Sequence, residues 1–220
     1  MGFSHYWRTV PVLDAKRFKA LREDFERCLP LLSEFCPMAG GSGKGAPVIS
    51  DDVIAFNGAD DCGHPKNSSI VIPWPEADAR GVEFNSKEYG IKSGHWFAGA
   101  MLAKRTCDGS CSYETFRLER VMNVEDWWEP DCHGRHFNCC KTAFRPYDLA
   151  VTTCLVLLCL HFPDWAEVRV TTDGTSENWQ DASWIIKQAL GRDVLVRVDE
   201  NSGIEALEVV SGQWPADSGQ

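Results

Sequence analysis

The feature that most constrains this chain is the apolar segment LAVTTCLVLLCLHF, which runs from Leu149 to Phe162. It is shorter than the roughly 20 apolar residues that a helix needs to cross a bilayer. Two threonines lie inside it, and Pro146 stands just before it, where the first turn of a helix tolerates a missing N–H. The segment is therefore predicted to be a helix buried in a globular core, and no membrane partner is expected.

The segments around this run alternate between strand and helix patterns. SHYWRTVPV predicts a first strand, and AEVRVTTDG and DVLVRVD predict later strands, DVLVRVD being the last. Asp14 is the predicted N-cap of a helix, and Ser176 that of another in SENWQDASWIIKQALG. The first of these helices carries an apolar stripe at three- and four-residue spacing, formed by Phe18, Leu21, Phe25, Cys28 and Leu32.

These patterns predict an α+β fold in which a mixed β-sheet packs against the buried apolar helix and two amphipathic helices. The chain has 220 residues, of which 44% are hydrophobic and 25% charged, as expected of a globular protein with a real core. We therefore expect one domain over residues 1–220. The polar, turn-rich stretch around 59–112 is predicted to be an irregular insertion in it.

The charge balance limits the partners. The chain has 22 Lys+Arg against 32 Asp+Glu, a formal net charge of −10. Proteins that bind duplex nucleic acid through its phosphates usually carry the opposite sign. Duplex DNA is therefore not an expected partner, whereas a small-molecule substrate, an acidic pocket for a cation or a local basic groove stays open.

Ten cysteines would suit a disulfide framework in a secreted protein. The opening MGFSHYWRTV lacks the apolar core of a signal peptide, which favours a cytoplasmic protein with mostly reduced thiols. Cys154 and Cys159 lie within the apolar run, where free cysteine behaves as a small hydrophobe.

Several of the remaining cysteines and histidines have metal-ligand spacing. Zinc prefers pairs of soft ligands a few residues apart, and the pairs Cys107–Cys111 and Cys132–His136 meet this condition. Other potential ligands are Cys62, His64, His133, Cys139 and Cys140. The order of these ligands in the chain matches no standard zinc finger. The sequence therefore requires no cofactor, and zinc is the metal that these ligands would accept.

Cys140 is the candidate nucleophile. Cys140 and Lys141 precede the helix predicted to start near Pro146, where free N–H groups and the helix dipole lower the pKa of a thiol. A populated thiolate would act in covalent catalysis. The alternative is that Cys140 is buried and inert.

Polar residues near strand ends would complete that site. His5 is the candidate base, and Glu114 or Asp148 would orient it or hold a cationic substrate. Candidate substrate-binding residues are Tyr6, Trp7, Asn57, Lys141, Arg145 and Tyr147.

Five segments of the chain carry a resemblance. The family that they resemble consists of small, uncharacterised proteins found in phages, bacteria and fungi, and the segments are MGFSHYW, IAFNG, CSYETFRLER, CCKTAFRPYDLAVTTCLVLLCLHF and VTTDG with the NWQDA that follows it. Its members open with Gly-Tyr/Phe-Ser/Thr-His-Tyr-Trp and carry a Cys-Lys-Thr-Ala-x-x-Pro-Tyr-Asp motif. Phe144 and Arg145 stand where Arg-Lys is usual, which halves the basic character there. CDGSCSYETF is similar to the fungal branch.

That branch resembles the arginine-containing cyclodipeptide synthases, which take aminoacyl groups from tRNA, one of them arginyl, and close a diketopiperazine. The resemblance implies an acyl transferase with aminoacyl-tRNA as partner, Cys140 as acyl acceptor and acidic residues around a guanidinium. A basic groove for tRNA would need Lys104, Arg105, Lys141 and Arg145. Two alternatives stay open: a zinc-stabilised, non-catalytic interaction module, and a small-molecule or nucleotide enzyme without a covalent intermediate.

Overall fold

A computed structural model describes residues 3–70, 105–125, 127–174, 177–199 and 201–209. Its helices are α1 (Ala15–Phe35), α2 (Asp148–His161) and α3 (Glu177–Leu190). Its strands are β1 (Ser4–Thr9), β2 (Met38–Ala39), β3 (Val48–Ile49), β4 (Val53–Gly58), β5 (Ser68–Ile70), β6 (Arg105–Cys107), β7 (Phe116–Glu119), β8 (His136–Lys141), β9 (Val168–Thr172), β10 (Val194–Val198) and β11 (Ile204–Glu208). This confirms the predicted α+β class.

Helix α2 is the centre of the core. Every residue from Asp148 to Leu158 is buried, because α1, α3, β9 and β11 all pack around this helix. The prediction of a buried apolar helix is confirmed. Among the helices in the described parts of the chain, none combines the length and apolarity needed to cross a membrane.

Helix α1 forms as its sequence predicts. The Asp14 carboxylate accepts the backbone N–H of Arg17 at 2.9 Å, which caps the first turn. The predicted apolar stripe is its buried face, formed by Phe18, Leu21, Phe25, Cys28 and Leu32. The predicted cap of α3, Ser176, lies outside the described residues.

One small sheet brings distant motifs together. Its strands run β8-β1-β9, with both pairings antiparallel. His5 of β1 stands opposite Cys140 of β8 on one side and opposite Thr172 of β9 on the other. Alternate β1 residues are buried, so His5 and Trp7 face the core while Tyr6 faces outward.

The remaining strands form three further antiparallel sets within the described residues. β4 pairs with β2, β3 and β7, and β10 forms a hairpin with β11. The prediction that DVLVRVD is the last strand is therefore wrong. Strands β5 and β6 also pair, so the ends of the predicted insertion at 59–112 are regular, and its middle lies outside the described residues.

Candidate functional site

His5 and Asp148 form a buried hydrogen-bonded pair. His5 Nε2 lies 2.7 Å from Asp148 Oδ1, and both side chains are fully buried. The opposite ring atom, His5 Nδ1, lies 3.0 Å from Thr172 Oγ1. We call these three residues the Thr172–His5–Asp148 triad.

Asp148 is held in its ionised form. Burial acts to raise its pKa, but the charges of His5 and Arg105 and hydrogen bonds from His5 and Thr142 lower it to about 2. Thr142 Oγ1 donates to Asp148 Oδ1 at 2.5 Å, and Arg105 Nε donates to Oδ2 at 3.0 Å. Asp148 is also the first residue of α2, where the helix dipole favours a negative charge.

This ionised carboxylate fixes the imidazole tautomer. A carboxylate can only accept, so a neutral imidazole at His5 would donate its Nε2–H to Asp148 and present the Nδ1 lone pair to the Thr172 hydroxyl. Thr172 Oγ1 in turn accepts the backbone N–H of Gly174 at 3.0 Å. The arrangement of hydroxyl, imidazole and carboxylate is that of a nucleophile, its base and an orienting acid.

Arg105 joins Asp148 to a second carboxylate. Its Nη1 donates to Asp181 Oδ2 at 2.6 Å, and both residues are buried. Burial lowers the pKa of Arg105, but the two carboxylates more than offset this and raise it. These acidic groups therefore already hold a guanidinium, that of the protein itself.

Two aromatic rings enclose His5. Phe3 and Trp179 each meet the imidazole edge-on, with ring centroids 5.0 Å apart. Their apolar surfaces exclude water from the ring. His5 is 0% and Thr172 3% exposed, so a substrate reaches this triad only after local opening.

Cys140 does not have the environment predicted for it. It lies within β8 rather than at the start of α2, and it is fully buried. Burial raises the pKa of its thiol far above the usual range, and its Sγ contacts the Glu114 carbonyl oxygen at 3.5 Å. The predicted position at the start of the apolar helix is wrong, and the alternative of a buried thiol describes this residue.

Glu114 and Tyr147 also form structural contacts around Cys140 and Lys141 of β8. The Tyr147 hydroxyl donates to the Glu114 carbonyl oxygen at 2.6 Å, and the Glu114 carboxylate accepts the Lys141 backbone N–H at 2.7 Å. Tyr147 is fully buried. These residues therefore fasten β8 to the segment before β7, and Glu114 is not placed as an orienting group for His5.

The predicted basic groove is not formed by its described members. Arg105 is buried in its ion pairs. Arg145 donates to the Ser110 carbonyl oxygen and pairs with Asp108 at 3.3 Å, while Lys141 Nζ lies over the Tyr113 ring. The fourth member, Lys104, lies outside the described residues.

The other predicted substrate-binding residues have structural contacts. Trp7 is 2% exposed and packs on Phe116. Asn57 donates to the Tyr113 carbonyl oxygen and accepts the Tyr113 backbone N–H, both at 3.0 Å, which holds the segment before β7 against β4. The hydroxyl of Tyr6 donates to the Asp173 carboxylate at 3.1 Å, beside the triad but on the outer face of β1.

A separate cluster of soft ligands lies beside β6. It contains Cys62, His64, Cys107 and Cys111, whose ligand atoms all lie within 4.8 Å of one another. We call it the Cys₃His cluster. Of the pairs predicted to bind zinc, Cys107 and Cys111 are in it, but Cys132 is exposed elsewhere and His136 lies in β8 against Trp128. The predicted combination of four is therefore wrong in two members.

The three thiols of the Cys₃His cluster influence one another. Burial acts to raise the pKa of Cys62, but hydrogen bonds from the His64 backbone N–H and from the neighbouring thiols lower it overall. Burial and the adjacent sulfurs raise the pKa of Cys111 well above its usual range. When one of the three thiols is ionised and no cation is bound, its negative charge disfavours ionisation of the other two.

Comparison with models of known families, with curated proteins and with solved structures finds no match.

Proposed function

We propose that this protein is an acyl transferase that acts on an aminoacyl donor, as its resemblance to arginine-containing cyclodipeptide synthases implies, with the Thr172–His5–Asp148 triad as its catalytic centre. The observation that supports this is the meeting of three of the motifs at one point. His5 comes from SHYW, Asp148 from CKTAFRPYD and Thr172 from VTTDG, and their side chains form one hydrogen-bonded chain.

The burial of so many ionisable groups supports a chemical role. Removing each ion from water costs several kcal/mol, and a well-packed apolar set of similar volume is often equally stable or more so. Ionisable groups with strongly shifted pKa values cluster at functional sites, and that of Asp148 is lowered to about 2. The core of this protein therefore contains a costly arrangement that folding alone does not require.

In the proposed first step, the Thr172 hydroxyl attacks the ester carbonyl of the aminoacyl donor. His5 Nδ1 accepts the hydroxyl proton, while Asp148 stabilises the imidazolium that forms. The C–O bond to the donor breaks, and the leaving hydroxyl takes the proton from His5. The amine of the second aminoacyl-tRNA then attacks the Thr172 ester, His5 again transfers the proton, and the Thr172 hydroxyl is restored. The free amine of the resulting dipeptide finally attacks the ester that joins it to the second tRNA, which closes the diketopiperazine ring and releases that tRNA with its hydroxyl protonated.

This route replaces Cys140 as acyl acceptor and keeps His5 and Asp148 in the predicted catalytic set. The guanidinium of an arginyl substrate is not assigned to Asp148 or Asp181, because Arg105 occupies both carboxylates. Aminoacyl-tRNA remains the acyl donor that the resemblance implies.

The test is turnover with purified aminoacyl-tRNAs. We expect the wild-type protein to convert arginyl-tRNA and a second aminoacyl-tRNA into a diketopiperazine, detected by mass spectrometry. Thr172→Val removes the hydroxyl at nearly constant volume and should abolish product. Thr171→Val is the matched control, since Thr171 lies on the same strand and faces the other way. Undiminished turnover by Thr172→Val would rule out the triad as the catalytic centre.

Product without dependence on any charged tRNA would instead support the small-molecule alternative. No product with any donor from a folded wild-type protein would support a non-catalytic module.

A further inference from the structure

We infer that the Cys₃His cluster is a structural zinc site. This inference is independent of the proposed acyl transfer, because metal content is measured without any substrate.

The separations between the ligand atoms suit a tetrahedral ion. Zinc with Zn–S bonds of about 2.3 Å and a Zn–N bond of about 2.1 Å holds two sulfurs about 3.8 Å apart and sulfur and nitrogen about 3.6 Å apart. Cys107 Sγ lies 3.5 Å from Cys62 Sγ and 3.6 Å from Cys111 Sγ. His64 Nδ1 lies 3.2 Å from Cys111 Sγ. Small outward shifts of these side chains would admit the ion.

Each ligand pair contains a glycine that turns the backbone between its two ligands. Gly63 between Cys62 and His64 has φ +72°, and Gly109 between Cys107 and Cys111 has φ +87°. Each glycine takes the left-handed conformation that its turn requires, which other residues adopt at a cost.

The ligand types select zinc. Thiolate and imidazole are soft or borderline ligands, whereas magnesium and calcium require oxygen. Four protein ligands also fill the coordination sphere, which is typical of a structural site and leaves no position for a catalytic water. A disulfide accounts for the cluster less well: it would join only two of the three sulfurs and leave the imidazole unused.

The place of the cluster in the fold indicates what the ion would hold. Cys62 and His64 follow β4, while Cys107 ends β6 and Cys111 leads towards β7. Arg105, which bridges Asp148 and Asp181, lies on the same face of β6 as Cys107 and only two residues away. The ion would therefore tie the strand that carries Arg105 to the segment that follows β4.

The first measurement is the metal content of the purified wild-type protein by plasma mass spectrometry. We expect one zinc per chain. Cys111→Ser should lose most of it, whereas Cys132→Ser, which changes an exposed cysteine outside the cluster, should keep it. A folded, metal-free wild-type protein would overturn the inference, and so would full retention of zinc by Cys111→Ser.

Two further measurements keep the test decisive if Cys111→Ser does not fold. His64→Cys supplies a fourth thiolate and should retain one metal per chain, whereas His64→Ala should bind it at least tenfold more weakly. Cobalt(II) added to the metal-depleted wild type should give the intense thiolate-to-cobalt absorption of a tetrahedral site, and this band should intensify in His64→Cys. Failure of wild type to show the band, or identical spectra for wild type and His64→Cys, would count against the assignment.

Discussion

His5 Nε2 and Asp148 Oδ1 lie 2.7 Å apart in the centre of the molecule, although 143 residues separate them in the chain. The contact exists because β1 lies between β8 and β9, and because α2 begins directly below this sheet with a buried carboxylate. An imidazole oriented on one side by an ionised acid and facing a hydroxyl on the other is prepared for proton transfer. That one geometric relationship connects the fold with the proposed chemistry.

Asp148→Asn should reduce acyl transfer by roughly 10³–10⁴-fold, because the neutral amide no longer fixes the required tautomer or stabilises the imidazolium. It should also lower the free energy of unfolding by about 3–5 kcal/mol, since Arg105 loses a buried charge partner. Turnover and urea denaturation measure the two effects. Asp181→Asn is the control: it also removes a carboxylate from Arg105 but does not touch His5, so its turnover should fall much less for a similar loss of stability.

The stability contributed by Asp148 should depend on pH in the acid range. Its pKa is about 2 in the folded protein, below the ordinary value of 3.8. A carboxylate with a lowered folded pKa contributes stability above its unfolded pKa and loses it as pH falls through the folded one. The difference in unfolding free energy between wild type and Asp148→Asn should therefore shrink as pH falls from about pH 4 to about pH 2. A difference that does not change over this window would contradict the ionised state assigned here.

Cys140→Ala should keep its acyl-transfer activity, because the buried thiol has a strongly raised pKa and contacts only packing partners. Alkylation of the native protein followed by peptide mapping should modify the exposed Cys132 and Cys139 and leave Cys140 unmodified. Rapid labelling of Cys140, or loss of turnover in a folded Cys140→Ala, would restore the thiol as a candidate nucleophile.

Leu155→Ala in α2 should lower the free energy of unfolding by about 2–5 kcal/mol, as is usual for a fully buried leucine that leaves a cavity. Leu207→Ala in β11 removes the same atoms from a side chain that is 48% exposed, and should cost less than about 1 kcal/mol. Chemical denaturation of the two variants compares them directly. Equal losses would show that α2 is not the centre of the core.

The elements that could be predicted from the sequence are those set by local pattern. The stripe from Phe18 to Leu32 and the Asp14 cap depend on neighbours within a few residues, and both form as expected. The sequence pattern does not predict β11, because IEALE is too polar to be recognised as a strand without its hairpin partner. The sequence predicts Arg105 in a basic groove for nucleic acid. The two carboxylates with which it is buried are distant in the chain, so the residues near Arg105 give no sign of them.

The candidate sites show the same division. Their positions near predicted strand ends indicate His5 and Asp148 as catalytic candidates, but nothing in the sequence indicates Thr172, because only the pairing of β1 with β9 brings it to His5. Cys107 and Cys111 have recognisable ligand spacing. Their partners Cys62 and His64 are 45 and 47 residues from the thiols that they meet, a distance at which spacing carries no information.

The most direct test of the proposed chemistry is to locate the acyl group on the protein. The wild-type protein is mixed with arginyl-tRNA alone, quenched in acid, digested and mapped by mass spectrometry. We expect one arginyl ester on the peptide that contains Thr172, absent from Thr172→Val and from His5→Gln and present in Thr171→Val. An arginyl group on any other residue, or product formed while no acylated peptide ever appears, would contradict it.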